Sequence, residues 1–282
     1  ERGAMAPSLR SPRSGVHRLL RSALGEGVGA EELVGHVASL RAADAAHKLR
    51  HRRLYLVLDL DETLLFSQRL RSDTDAPKGQ RIRVRGEAWD VVLRPGLTHF
   101  LKVQAEKYVM FLYTMGDEEY AAAVLALIDP QRKLFTGGVC CWRATESRTQ
   151  KSLERTVCES SMTLIVDDTP DVWHSELQSL CLVRRFQGDA GDDGLMQLSS
   201  QLQSIHARFY PPSDVPGQEP PVWSLDDPLR QPPDIRTLLA ARRGTCLSGC
   251  RLAFTGVLPS QTSDMSEIAL CVLVTMCGGE VT

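Results

Sequence analysis

Asp59 and Asp61 follow the apolar run Leu54-Tyr55-Leu56-Val57-Leu58 and stand two residues apart. Side chains alternate along an extended strand, so this spacing sends both carboxylates out of the strand end on one side. There they can share a divalent cation, or one can attack as a nucleophile while the other moves a proton. A second pair, Asp167-Asp168, ends the apolar run 162–166 and can meet the first. Such a cluster needs positive charge, because burying an unpaired ion is costly. Mg²⁺ takes oxygen ligands and bridges readily to phosphate. Lys151 is a second cation, able to hold the nucleophile and a phosphoryl oxygen, and Thr114, directly after the run 109–113, offers a hydroxyl for another. The chemistry that suits these residues is phosphate monoester hydrolysis. Asp59 attacks phosphorus, and Asp61 protonates the leaving alkoxide and then serves as base for water. Lys151, Thr114 and the metal stabilise the transferring phosphoryl. Thr63 ties the loop behind the nucleophile, and Glu62 reads as turn decoration.

The elements that must position these groups are legible as alternating strands and helices. Residues 54–58, 109–113, 162–166 and 180–183 are apolar runs of strand length, with 137–142 as a further strand. Between them lie helical patterns at 97–105, opened by Pro95, and from Asp117 as a cap to about residue 128, stopped by Asp129-Pro130. A short helix is expected at 150–155, and an amphipathic one within 192–210 carries Leu195, Leu198, Leu202, Ile205 and Phe209. Strands alternating with helices predict a mostly parallel α/β sheet with both faces covered, whose ligands gather at the strands' carboxyl ends. Residues 68–86 interrupt this order as a polar excursion around Asp75-Ala76-Pro77-Lys78-Gly79, with a hairpin from 81–85 and 89–93.

Four units follow along the chain: a flexible segment 1–30, the main domain 31–210 opening with a helix at 31–49, a linker 211–233 with eight prolines, and a tail 234–282. The 49 tail residues are few for an independent core. Glu1 is not a natural initiator, so the sequence reads as a fragment.

The 282 residues are 43% hydrophobic and 24% charged, with a formal net charge of -2. This balance gives no general attraction to nucleic acid or to an acidic membrane. No apolar run approaches the length of a transmembrane helix, and the N-terminus lacks a signal-peptide core. The 8 cysteines form no CxxC pair, which argues against zinc and for reduced thiols. Cys140 and Cys141 are not followed by the arginine a thiol-phosphatase loop requires.

Asp59-Leu60-Asp61-Glu62-Thr63, Thr114, Lys151 and Asp167-Asp168 resemble the four motifs of the haloacid dehalogenase superfamily of phosphatases. More narrowly, Leu93-Arg94-Pro95-Gly96-Leu97, Leu112-Tyr113-Thr114-Met115-Gly116, Asp129-Pro130 and Asp167-Asp168-Thr169 with Val172-Trp173 resemble phosphatases of the RNA polymerase II carboxy-terminal domain, the branch with a phosphatase homology domain followed by a BRCT domain. The resemblance covers roughly residues 45–210. It implies a haloacid-dehalogenase-like Rossmannoid sheet with a small β excursion after the first motif, and a Mg²⁺-dependent protein-serine/threonine phosphatase.

It also implies roles. Asp59, Asp61 (through its backbone carbonyl), Asp167 and Asp168 would hold the metal. Asp59, Asp61, Lys151 and Thr114 would be catalytic, and Arg94, Tyr108 and Thr63 would serve substrate binding. The implied substrate is phosphoserine in the phosphorylated tail of RNA polymerase II, with general transcription factors as further partners, a nuclear location, and no direct contact with nucleic acid or membrane. Residues 247–259, centred on Gly249-Cys250-Arg251-Leu252-Ala253-Phe254-Thr255-Gly256, resemble the opening strand of the BRCT domain, and 270–279 its first helix. Only 36 residues remain from Leu247 onward, so this tail is expected to be partial. Cys140-Cys141-Trp142-Arg143 departs from the family pattern ahead of Lys151. A small phosphomonoester or another phosphoprotein as substrate, and a non-catalytic transcription scaffold, are the alternatives.

Overall fold

The computed structural model describes residues 30–72, 76–143, 149–213, 220–244, 246–255 and 268–282. The segment 1–29, Asp75 of the expected turn, and Gly256 onward in the resemblance to an opening strand lie outside the described residues.

Five strands form the central sheet: β1 (Leu54–Asp59), β5 (Tyr108–Tyr113), β6 (Gly138–Cys140), β7 (Thr163–Asp167) and β8 (Leu180–Leu182). Their spatial order is β6-β5-β1-β7-β8, and every pairing is parallel. Every residue of β1, β5 and β7 is buried. That is why these segments are apolar without alternation: a central parallel strand is covered on both faces. In register, Asp59 lies beside Tyr113 and Leu58 beside Val166, so three strands finish at one edge of the sheet.

Helices cover the sheet. α1 (Ala30–Arg50) leads in, α2 (Leu97–Lys107) precedes β5, α3 (Glu118–Ile128) follows it, and α4 (Gly194–Phe209) closes the domain. Leu195, Leu198, Leu202, Ile205 and Phe209 are the buried stripe of α4, each adding about 1.5–3 kcal/mol on burial. Gly96 rather than Pro95 makes the entry to α2, at φ 78°, a left-handed conformation that glycine adopts without strain. Asp117 caps α3 by accepting from the Tyr120 amide. At the other end the Asp129 carboxylate accepts the amides of Lys133, Leu134 and Phe135, which folds the exit turn. The helix expected at 150–155 is a single 3-10 turn over Leu153–Arg155.

The excursion after the first motif is a three-stranded antiparallel sheet, not a hairpin alone. β3 (Gln80–Val84) and β4 (Glu87–Leu93) match the expected pair, and β2 (Leu65–Arg69) adds to the other side of β4. β2 brings Ser67 back toward the first motif.

The tail begins with α5 (Ile235–Arg243), whose Ile235 and Leu239 sit in the same hydrophobic core as the main sheet. Trp223 in the proline-rich stretch donates from Nε1 to the Phe209 carbonyl and packs on that core. β9 (Arg251–Leu252), α6 (Ala269–Met276) and β10 (Glu280–Val281) follow, with the two short strands paired parallel. Among the described residues the tail holds this one strand–helix–strand step and no complete further domain. No described helix is long and apolar enough to cross a membrane. All eight cysteines are free thiols.

Candidate active site

Strand ends assemble the charged cluster. Asp59 is the last residue of β1 and Asp167 the last of β7. Between them stands the Lys151 ammonium, 2.5 Å from Asp59 Oδ1 and 2.6 Å from Asp167 Oδ2. Lys151 is held from behind by its amide, which donates to the Val172 carbonyl at 2.7 Å. The rings of Tyr113 and Trp173 lie 5.6 and 5.8 Å from its nitrogen. A buried ammonium is tolerated here because two carboxylates and two ring faces replace water. Burial pulls the Lys151 pKa down, but the charges of Asp59 and Asp167 outweigh it, so the ammonium keeps its proton. Burial pushes the Asp59 carboxyl up against the opposing pull of Lys151, with Asp167 adding to the rise.

Trp173 donates from Nε1 to Asp167 Oδ2 at 2.8 Å, and the Thr169 amide donates to Oδ1 at 2.8 Å. The Trp173→Phe variant keeps an aromatic ring but loses the first of these bonds. Hydrogen bonds to a charged group contribute about 1.5–3 kcal/mol. We expect Trp173→Phe to lower unfolding free energy by about 2–3 kcal/mol in urea titration.

Asp61 is held differently. Its Oδ1 accepts from the Tyr120 hydroxyl in a short hydrogen bond and from Ser67 Oγ at 3.1 Å, and its Oδ2 accepts from Thr114 Oγ1 at 3.2 Å. Burial raises the Asp61 pKa, and the three hydroxyls work against that rise. Tyr120 reaches the cluster because residue 116 is glycine: a Cβ there would lie 2.4 Å from the tyrosine ring. Trp89 of β4 packs against that ring, at 5.6 Å between centroids. Asp61 is therefore fixed jointly by α3 and the excursion.

Carboxylate oxygens of Asp59, Asp167 and Asp168 all lie within 4.8 Å of one another. A trio of hard oxygen donors fits a divalent cation such as Mg²⁺. The Asp61 carboxylate is not part of this trio. The four aspartates and Lys151 line a cleft of about 270 Å³, with Met115 and Val172 as apolar wall.

Three residues expected to serve substrate binding are buried and do not line the cleft. Arg94 is buried: Nε is 2.7 Å from Asp192 Oδ1, Nη1 donates to the Thr63 carbonyl, and Nη2 donates to the Arg184 carbonyl and Asp192 Oδ2. Its guanidinium is consumed by the fold. Tyr108 begins β5 opposite Leu54, at the far edge of the sheet, and its hydroxyl donates to the Leu202 carbonyl at 2.7 Å. Five residues of strand put it about 17 Å from Tyr113 at the site edge. Thr63 is fully buried, and its hydroxyl faces Asp168 Oδ1 at 3.3 Å. Thr114 is brought to the cluster, but its buried hydroxyl serves Asp61 and accepts the Gly116 amide.

Sequence reasoning missed Ser67, Tyr120 and the role of Trp173. Tyr120 and Ser67 lie 53 residues apart and are also bonded to each other at 2.8 Å. No spacing rule links them; only the return of β2 and the angle of α3 do.

Known proteins resemble this chain in sequence and in fold. RNA polymerase II C-terminal domain phosphatase-like 4 of Arabidopsis thaliana is 27% identical over 264 residues, covering 80% of this chain and 57% of that protein. An RNA polymerase II C-terminal domain phosphatase of Schizosaccharomyces pombe is 32% identical over 161 residues, covering 48% of this chain and 22% of that protein. The chain thus spans just over half, or less, of the length of these curated relatives. Among solved structures, a beryllium fluoride complex of the fission yeast RNA polymerase II carboxy-terminal-domain phosphatase superposes with a TM-score of 0.69 at 22% identity, covering 86% of this chain and 85% of that one. That likeness shows the fold. The sequence model of the NLI interacting factor-like phosphatases matches residues 54–215, which hold every strand end of the charged cluster and more than half of the chain, and the protein belongs to that family.

Proposed function

We propose that this chain is a Mg²⁺-dependent protein serine phosphatase that works through an aspartyl phosphate and acts on the heptad-repeat tail of RNA polymerase II. The observation that carries the reaction is the ion-paired set Asp59–Lys151–Asp167 at the carboxyl ends of parallel strands, with a hydroxyl-bonded Asp61 beside it.

In the first step Asp59 forms a bond to phosphorus in line with the seryl oxygen, the phosphorus–oxygen bond to serine breaks, and Asp61 gives its proton to that oxygen. Burial raises the Asp61 pKa, which shifts the carboxyl toward the acid/base role. In the second step water attacks the phosphorus, Asp61 takes a proton from it, and the bond to Asp59 breaks to release inorganic phosphate. Lys151 holds Asp59 in place and offsets phosphoryl charge. Asp59, Asp167 and Asp168 would hold Mg²⁺, which when bound supplies positive charge against the phosphoryl oxygens. Thr114 serves by fixing Asp61, and Thr63 by fixing Asp168.

The substrate assignment rests on the relatives, whose names describe RNA polymerase II carboxy-terminal-domain phosphatases. A nuclear location and contact with general transcription factors follow from the same reading. The division into 31–210, a 211–233 linker and a 234–282 tail is likewise proposed, with residues 247–282 as a partial BRCT-like segment. Its support is the sequence Leu252-Ala253-Phe254-Thr255-Gly256 and the strand–helix–strand order.

The test is phosphate release from heptad peptides phosphorylated on serine at the second or fifth position, with and without Mg²⁺, beside p-nitrophenyl phosphate. We expect Mg²⁺-dependent release and a preference for peptide of about tenfold or more in kcat/KM. Equal turnover of the small ester would favour a broad phosphomonoesterase. No release above an Asp59→Asn background would leave a scaffold.

A further inference from the structure

Arg185 brings a second cation to the mouth of the cleft. It follows β8, next to β7, and its backbone is pinned on both sides. The Phe186 amide donates to the Glu62 carbonyl at 2.7 Å, and the Arg184 carbonyl accepts from Arg94 at 3.0 Å. The guanidinium Nε lies 2.8 Å from Asp168 Oδ2 and 2.8 Å from Glu62 Oε2, and Nη2 donates to Thr169 Oγ1 at 3.2 Å. Asp168 is nearly closed to solvent, at 4% exposure of its side chain, whereas Arg185 is half exposed. Glu62 is kept at the mouth by a left-handed backbone, φ 59°, which its amide bond to the Leu65 carbonyl supports.

One guanidinium is therefore shared by two carboxylates of different standing. Asp168 belongs to the trio that fits a divalent cation, and Glu62 does not. A metal on that trio and the Arg185 guanidinium draw on the same carboxylate, and they repel each other. Beside Thr169 Oγ1, a neutral acceptor, Glu62 is the charged acceptor already in place that can keep Arg185 when Asp168 turns to a metal.

We propose that Arg185 and Glu62 form a charge hand-off that sets the metal affinity of this site: Arg185 holds Asp168 while no metal is bound, and Glu62 retains the guanidinium when Mg²⁺ takes Asp168. The inference rests on the reading that Asp59, Asp167 and Asp168 bind Mg²⁺, and it adds a tuning element to that site. Glu62 is then not turn decoration but the counter-ion that lets the latch open.

The two partners have opposite signs, which makes the hand-off testable with Mg²⁺ alone and no substrate. By isothermal titration calorimetry on the full chain, Arg185→Gln is expected to tighten Mg²⁺ binding about three- to tenfold, because competitor and repulsion leave together. Glu62→Gln is expected to weaken it by a similar factor, since Arg185 then has Asp168 as its one carboxylate. In the Arg185→Gln background the Glu62→Gln effect shrinks, because there is no guanidinium to hand over. Both side chains are solvent-facing, so the variants fold, and circular dichroism checks this. Weaker or unchanged Mg²⁺ binding in Arg185→Gln overturns the inference, as does an undiminished Glu62→Gln effect in the double variant. Binding abolished by Asp167→Asn yet insensitive to Arg185→Gln overturns the hand-off alone. Absence of Mg²⁺ binding in the unaltered chain overturns the metal reading and the hand-off with it.

Discussion

Asp59→Asn is expected to reduce phosphate release from a phosphoserine peptide by on the order of 10⁴-fold or more, the scale seen when a covalent nucleophile is removed. The amide has the volume of the carboxylate but cannot donate an electron pair to phosphorus at a useful rate, and no phosphoenzyme can form. The fold should survive, because Lys151 keeps Asp167 at 2.6 Å and the remaining residues of β1 are buried apolar side chains. Steady-state phosphate release, with mass spectrometry of acid-quenched enzyme to seek the phosphorylated aspartate, checks both halves. Residual turnover within about tenfold of the unaltered chain, or a phosphoenzyme in the variant, would remove Asp59 from the role of nucleophile.

Arg94→Ala is expected to act on folding. The Arg94–Asp192 pair is almost closed to solvent, at 1% and 2% side-chain exposure, and the guanidinium also satisfies the carbonyls of Thr63 and Arg184. Removing Arg94 takes away the buried partner of Asp192 and leaves it the exposed Arg184 at 3.1 Å and the Gly194 amide, at a cost toward the lower end of about 3–5 kcal/mol. For a domain of this size that corresponds to a fall in Tm on the order of 10 °C. The pH dependence carries a definite sign. The hydrogen bonds from Arg94 hold the Asp192 carboxyl down at about 2, below its ordinary value of 3.8. A group depressed in the folded state stabilises above its unfolded pKa, and that contribution is lost as pH falls from about 4 toward 2. The stability gap between the unaltered chain and Arg94→Ala should therefore be full at pH 7 and narrow across that acid range. Urea titrations at several pH values measure it. A variant with unchanged unfolding but a raised KM would return Arg94 to the substrate cleft.

These two residues differ in how legible they were. Asp59 closes an uninterrupted apolar run, and such a run in an α/β pattern can only be a central strand, so its last polar residue must emerge at the carboxyl edge. The same logic places Asp167 and the hydroxyl of Thr114. Arg94 lies in an equally conspicuous stretch, Arg94-Pro95-Gly96-Leu97, yet its partner Asp192 is 98 residues away and lies just ahead of α4. Nothing local distinguishes an arginine that meets substrate from one that meets a distant aspartate. Tyr108 misled for a related reason: strand membership was readable, but its position at the opposite edge follows from the pairing of Leu54 with Tyr108. β2 escaped because five residues with a weak alternation look like loop until β4 supplies a partner.

The sequence alone determined the parallel sheet and the strands that end in acids, and it called for a cation among them, because burial on both faces and the cost of unpaired charge constrain residue type directly. Only the tertiary structure decided which polar side chains face the cleft and which are spent on the fold. That choice turned Arg94, Tyr108 and Thr63 inward and drew in Tyr120, Ser67, Glu62 and Arg185. The physical reason is that a hydrogen bond or ion pair depends on a few ångströms between groups far apart in the chain. Those distances are set by the packing of α3, α4 and the excursion against the sheet, and no local pattern encodes them.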